Sequence, residues 1–281
     1  MMHTNALIVE GGAMRSVFSA GLLDGFMQKQ FNPFDLCLGV SAGASNLVMF
    51  LAGNQQRGLQ FFLDVARHRE FISFARFLRG DHLMDMQWLF DMIARSELDL
   101  TLLESQPVPL LICATDVYSG KPAYIEAKAE TMMDALKVSM ALPLIYREFA
   151  LFQGREMTDG GMADAIPVHE AIRRGAKNIM LVRSRPASYI KKDSPGHRYM
   201  RWKLKAYPAL VRAMEGRVQR HQAILRLIQT PPAGVRIIDI CPPEHFRLGR
   251  FGRNPEQLLE GYRAGVGMAD DAMRQWQSLK V

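Results

Sequence analysis

Cysteine is scarce in this chain. Its 281 residues hold three, Cys37, Cys113 and Cys241. They lie far apart, with no CxxC or Cys/His ligand spacing, which excludes a disulfide framework or a zinc cluster as the organising feature. Each is read as a small buried apolar residue. Long hydrophobic runs are missing as well: none approaches the ~18 residues needed to span a bilayer. The opening Met1-Met2-His3-Thr4-Asn5 lacks the basic segment and apolar stretch of a secretory signal, so the expectation is a cytoplasmic protein. Neither Gly-x-Gly-x-x-Gly nor a Gly-Lys-Ser/Thr phosphate loop occurs, and a nucleotide site is not expected. Internal repeats and low-complexity tracts are absent too.

With 48% hydrophobic and 22% charged residues, the chain is neither disordered nor fibrous. Its length is compatible with one large core, and a second domain is not required. The net charge of +7 is local. Arg183 to Arg226 carries twelve Lys/Arg against Asp193 and Glu215, a net of +10, so the remainder is net −3. Such a stretch suits an anionic membrane surface or nucleic acid, and a solvated helix face accounts for it equally well.

The hydrophobic pattern alternates short apolar runs, glycine turns and helical periodicity. Ala6 to Val9 reads as a buried strand that stops at Glu10-Gly11-Gly12, after which Val17, Ala20, Leu23 and Met27 recur at helical spacing. The pattern repeats at Pro33 to Leu38, Gly39 to Gly43 and Leu47 to Leu51. Pro109 to Ala114, Asn178 to Val182 and Val235 to Ile240 are further strands. Met132 to Val138, Pro167 to Arg174 and Pro255 to Gln277 are helices, the last capped by Asn254. Alternating βα units predict a mostly parallel sheet covered by helices. The stretch Gly58 to Leu103 is rich in Phe, Trp and Met; core helices are the commoner meaning and a lipid-facing lid the alternative. His197 to Ile228 reads as one or two basic helices, with Pro208 starting or kinking one of them.

Three turns carry the chemistry. Gly39-Val40-Ser41-Ala42-Gly43 is a GxSxG sequence between strand and helix, where flanking glycines permit a sharp bend and the serine hydroxyl projects at a helix N-terminus. The favoured reading is a nucleophile at Ser41, against a purely structural turn. A serine needs a base. Of His3, His68, His82, His169, His197, His221 and His245, none sits in a turn beside a strand end, and each is read as a surface or packing residue. Asp159 in Thr158-Asp159-Gly160-Gly161 is the better candidate. It follows a hairpin, Phe149 to Phe152 and Glu156 to Thr158, turning at Gln153-Gly154. On spacing alone, an ordinary Asp-Gly turn is the stronger reading. Glu10 to Ser16 is the third turn, whose successive N–H groups would suit a phosphate or an oxyanion.

Together these residues resemble the patatin-like phospholipases. The resemblance covers residues 6 to about 185. It rests on Glu10 to Ser16, Gly39 to Gly43, Ser139-Met140-Ala141-Leu142-Pro143, and Asp159-Gly160-Gly161 followed by Ile166-Pro167-Val168. It implies a three-layer α/β/α fold with a mostly parallel central sheet, and a catalytic domain over 6–185 with a helical, lid-like insertion at 58–103. Residues 186–281 are then a family-variable basic region packed on the same domain. It also implies Ser41 as nucleophile, Asp159 as base, the Gly11, Gly12 and Ala13 N–H groups as oxyanion hole, and Arg15, Gly39, Gly43, Gly160 and Gly161 as supporting positions, with Arg15 ordering its turn. The chain departs from the family at Ala13 and Ser16, where glycine is usual. Ala13 therefore needs a permitted φ.

The implied activity is serine-dependent hydrolysis of acyl esters, with glycerophospholipid or another acyl ester as substrate and no metal or organic cofactor. Peripheral contact with an anionic membrane surface through Arg198 to Arg226 is part of this expectation; nucleic acid is not an expected partner. The alternatives are a soluble short-chain esterase or thioesterase, and a lipid-binding module that has lost catalysis.

Overall fold

The computed structural model describes residues 4–68, 71, 73–79, 82–95, 107–143, 148–192 and 196–279. His3, Asp193 and residues 96–103 of the aromatic stretch lie outside the described residues. The centre is an eight-stranded mixed sheet. β1 (Asn5–Val9), β2 (Leu36–Val40), β3 (Leu110–Asp116), β7 (Asn178–Val182) and β8 (Arg236–Ile240) run parallel, in the order β3-β2-β1-β7-β8. β4 (Pro122–Glu126), β5 (Ala150–Phe152) and β6 (Arg155–Asp159) complete it in antiparallel pairings around β3.

Helices cover both faces, and strand periodicity decides which side chain meets which layer. Leu7 and Val9 join one core with residues of α1 (Val17–Gln28), α2 (Ala42–Leu51), α3 (Arg57–Arg67), α5 (Met86–Arg95) and α6 (Met132–Met140). The alternate residues Ala6 and Ile8 join a second core under α7 (Val168–Arg173) and α10 (Arg217–Gln229). The short α4 (Phe74–Leu78) lies between α3 and α5 in the chain. Because β1, β2 and β7 are buried on both sides, they are nearly continuous apolar runs, which is why they are legible from sequence.

The basic segment forms three helices: α8 (His197–Lys203), α9 (Pro208–Glu215) and α10. Pro208 starts α9 at its first turn, and Gly216 separates α9 from α10. The last helix, α11 (Pro255–Ser278), begins at an Asn254 cap that accepts from the Glu256 and Gln257 N–H groups. It lies against α1, where the Tyr262 hydroxyl donates to Asp24 at 2.6 Å, and Trp276 packs on Phe34. Among the described residues no helix is long and apolar enough to cross a membrane. Cys37 and Cys113 are buried as expected; Cys241 is only half-buried, and accepts a hydrogen bond from Arg183 at 3.4 Å.

Candidate active site

Strand register brings Ser41 and Asp159 together. β4 pairs with β3 from Leu111 to Thr115, a span that overlaps the partners of both β2 and β6. A strand has two edges, so β2 and β6 share the other edge of β3, end to end. Val40 lies opposite Cys113, and Asp159 opposite the next residue, Ala114. The residue leaving β2 and the residue ending β6 therefore meet at one point of the sheet, although 118 positions separate them in the chain.

Ser41 turns the chain from β2 into α2 with φ 53° and ψ −129°, a strained conformation for a side-chain-bearing residue. Gly43 makes the bend possible, since a Cβ there would sit 2.4 Å from the Val9 carbonyl oxygen; Gly39 faces Ala44 across the same bend. The turn is held from outside. The Ser41 N–H donates to the Ser139 hydroxyl at 2.8 Å, and that hydroxyl donates to the Cys113 carbonyl at 2.6 Å. Sequence reasoning recorded Ser139 only as part of a motif; its bridging role joins positions 98 residues apart and needs the fold to be seen.

Asp159 is 5% exposed. One carboxylate oxygen accepts the Gly161 N–H at 2.8 Å, and the Ser41 hydroxyl lies near enough to favour the charged carboxylate. Its backbone is fixed on both sides: the Asp159 N–H donates to the Ala141 carbonyl at 3.0 Å, and the Thr115 hydroxyl donates to the Asp159 carbonyl at 2.9 Å. Gly160 starts a 3-10 turn directly after it. Burial raises the carboxyl above its ordinary value, against the opposing pull of Ser41, Arg250, Gly161 and Arg217. No histidine among the described residues hydrogen-bonds Ser41.

The glycine turn completes the site. A Cβ on Gly11 would lie 2.6 Å from the Val40 carbonyl oxygen and 2.9 Å from the Ser41 Cβ, so this backbone runs directly against the serine. Among the described residues, none accepts a hydrogen bond from the Gly11, Gly12 or Ala13 N–H. Ala13 adopts φ 49°, the left-handed conformation that glycine takes more readily. Arg15 is buried within this turn. Its Nε and Nη1 are buried without a hydrogen-bond partner, and the Met14 N–H donates to the Arg250 carbonyl at 3.1 Å. Burial, with Arg185 and Arg250 nearby, lowers the Arg15 guanidinium to about 10.

An apolar cavity opens beside Ala13 and Ala42 and continues between Phe61, Phe71, Met84 and Met140. Phe62, Phe71, Met84, Met86 and Phe90 are packed core, as the commoner reading expects, and Phe61, Phe62, Phe71 and Met84 line the cavity beside Ala42.

The family described as patatin-like phospholipase matches residues 7–172, and a domain of unknown function, DUF6363, matches residues 207–280. The uncharacterized protein YjjU of Escherichia coli (strain K12) is 34% identical over 269 residues, covering 92% of this chain and 74% of that protein. Among solved structures, VipD from Legionella pneumophila is a distant likeness, at 11% identity and a TM-score of 0.46, covering 98% of this chain and 67% of that one.

Proposed function

The chain belongs to the patatin-like phospholipase family, and from that premise we propose that it is a serine lipid acyl hydrolase acting through a Ser41–Asp159 dyad. The observation that carries the proposal is the placing of Ser41 next to the buried Asp159 by strand register, beside a backbone turn whose N–H groups have no acceptor among the described residues.

The chemistry follows from the geometry. Ser41 Oγ attacks the ester carbonyl carbon as its proton passes to Asp159. Burial raises the basicity of that carboxylate, which favours the transfer. The carbonyl oxygen becomes an oxyanion facing the Gly11, Gly12 and Ala13 N–H groups, a fixed set of donors that need not reorganise. Collapse breaks the ester C–O bond, and Asp159 returns the proton to the departing alcohol. Water then gives up a proton to Asp159 and attacks the acyl-enzyme, releasing fatty acid and restoring Ser41. The apolar lining at Ala13 and Ala42 suits the start of an acyl chain, the enclosed space being about 40 Å³. Arg201, Lys203 and Lys205, near the exposed Trp202 and Tyr199, suit contact with an anionic lipid surface.

The test is fatty-acid release from mixed micelles of phosphatidylcholine and phosphatidylglycerol by the full chain. Release is expected, and its loss in Ser41→Ala. Release that persists undiminished in Ser41→Ala would overturn the assignment.

A further inference from the structure

A second recess opens between the glycine turn and the Asp159 turn, separate from the apolar cavity. It is small, about 30 Å³, and Glu10, immediately before the glycine turn, Gly161, whose N–H holds Asp159, and Asp164 line it together with Lys191, Arg217 and His221. Its cations come from the region beyond residue 185, outside the stretch that carries the motifs.

These cations make no close contact with a carboxylate among the described residues. Among the described residues, neither Lys191 nor Arg217 enters an ion pair. Arg217 Nε and His221 Nδ1 are buried with no hydrogen-bond partner. Arg220 also lines the recess, but it is spent on the carbonyls of Met162 and Ala213. Arg15 and Arg250 add positive charge close enough to act on Lys191. Against these four cations stand three carboxylates, one of them Asp164, which lines the recess and accepts the Tyr124 hydroxyl at 2.7 Å. Glu10 accepts the Ser184 N–H at 2.7 Å, and Asp159 is held by Gly161 and Ser41. Gathering like charges in a half-buried space costs free energy that Glu10 and Asp159 offset only in part. Burial and the neighbouring arginines push Lys191 down to about 7, and burial with Arg250 lowers Arg217. Perturbed cations around a recess beside reactive groups are what an anionic ligand requires.

We infer that Lys191 and Arg217 form a subsite for the phosphate of an acyl-glycerol phosphate substrate, so that the C-terminal region supplies head-group recognition. The inference rests on the Ser41–Asp159 reading for its reaction. The placement is consistent with the chemistry of such a lipid, whose phosphate lies only a few bonds from its acyl esters. The recess shares Gly161 with the Asp159 turn and Glu10 with the glycine turn, so an ester at Ser41 has its phosphate within reach of the cations. The acyl chain would leave in the other direction, past Ala13 and Ala42.

Two measurements on the full chain test this. In the first, Ser41→Ala is titrated with glycerol 3-phosphate, inorganic phosphate and glycerol, and its melting temperature is followed. Glycerol 3-phosphate is expected to stabilise it and glycerol to have no effect. Adding Lys191→Ala or Arg217→Gln should weaken the response at least about tenfold, as loss of a charge-assisted contact does, and Lys191→Arg should keep it. No response to glycerol 3-phosphate overturns the subsite. A response to inorganic phosphate as strong as that to glycerol 3-phosphate makes this a free-phosphate site and overturns its role in substrate recognition. In the second, the parent hydrolyses 1-decanoyl-glycerol 3-phosphate and 1-decanoyl-glycerol. A KM at least about tenfold lower for the phosphorylated ester is expected, with the gap closing in Lys191→Ala. Equal KM values in the parent overturn the inference while leaving the dyad standing. Hydrolysis of neither ester, with glycerol 3-phosphate still bound, is failure of the dyad alone.

Discussion

The Ser139 hydroxyl accepts the Ser41 N–H and donates to the Cys113 carbonyl, so one side chain of α6 ties the serine turn to β3. Ser139 is fully buried, and Ser139→Ala would leave both backbone groups without their partner. The expected cost is about 1–3 kcal/mol of stability by chemical denaturation, with a fall in kcat larger than any change in KM, because the hydroxyl positions Ser41 and does not touch substrate. Full stability and activity in this variant would show that the bridge is incidental.

Asp159 pays for its position in stability. Its carboxyl is raised in the folded state, so its contribution is favourable below the unfolded value of 3.8 and is lost as pH rises through the folded value. At pH 8 the buried charge is a net cost. Asp159→Asn keeps an oxygen for the Gly161 N–H and removes that charge, so its melting temperature should exceed the parent's at pH 8, with the gap shrinking as pH falls toward 4. Its kcat should drop on the order of 10³-fold. A less stable variant at pH 8 would contradict this.

The same carboxyl sets the acid limb of the rate profile. Because kcat/KM requires the ionised base, the limb should fall above the ordinary aspartate value of ~3.9. Arg250 opposes the effect of burial on Asp159. Arg250→Gln should therefore move the limb to higher pH, and a limb that stays in place would separate Arg250 from the dyad.

Ala13 occupies the left-handed region at φ 49°. Replacing it by glycine relieves about 1 kcal/mol of backbone strain but adds a similar amount of unfolded-state freedom. Ala13→Gly should thus change stability by less than about 1 kcal/mol and retain activity. Ala13→Val puts a branched side chain at the same φ beside the oxyanion-facing N–H groups, and should lower both, as denaturation and kcat measurements would show.

The parts of this architecture that were legible in the sequence share a cause. Ala6 to Val9 and Asn178 to Val182 are buried on both faces, and so read as unbroken apolar runs; Asn254 and Pro208 mark helix starts by their own chemistry. β4 was not legible, because Pro122 to Glu126 is a short strand, exposed at both ends, with proline at its first position. The basic stretch was expected to form one or two helices and forms three, the extra break falling at Gly216. Ser41 could be read from its flanking glycines. Asp159 could not be told from an ordinary Asp-Gly turn by spacing, because its distinguishing feature is the register that places it opposite Ala114, next to the partner of Val40. The gathering of Lys191 and Arg217 beside that site was invisible for the same reason, as a count of charges along a segment does not show which of them face inward.

The central claim is that Asp159 activates Ser41. Intact-protein mass after treatment with a fluorophosphonate tests it most directly, comparing the parent with Ser41→Ala and Asp159→Asn. The account predicts a single adduct on the parent, none on Ser41→Ala, and much slower labelling of Asp159→Asn. An unlabelled but folded parent, or an adduct that forms equally well in Ser41→Ala, would contradict it.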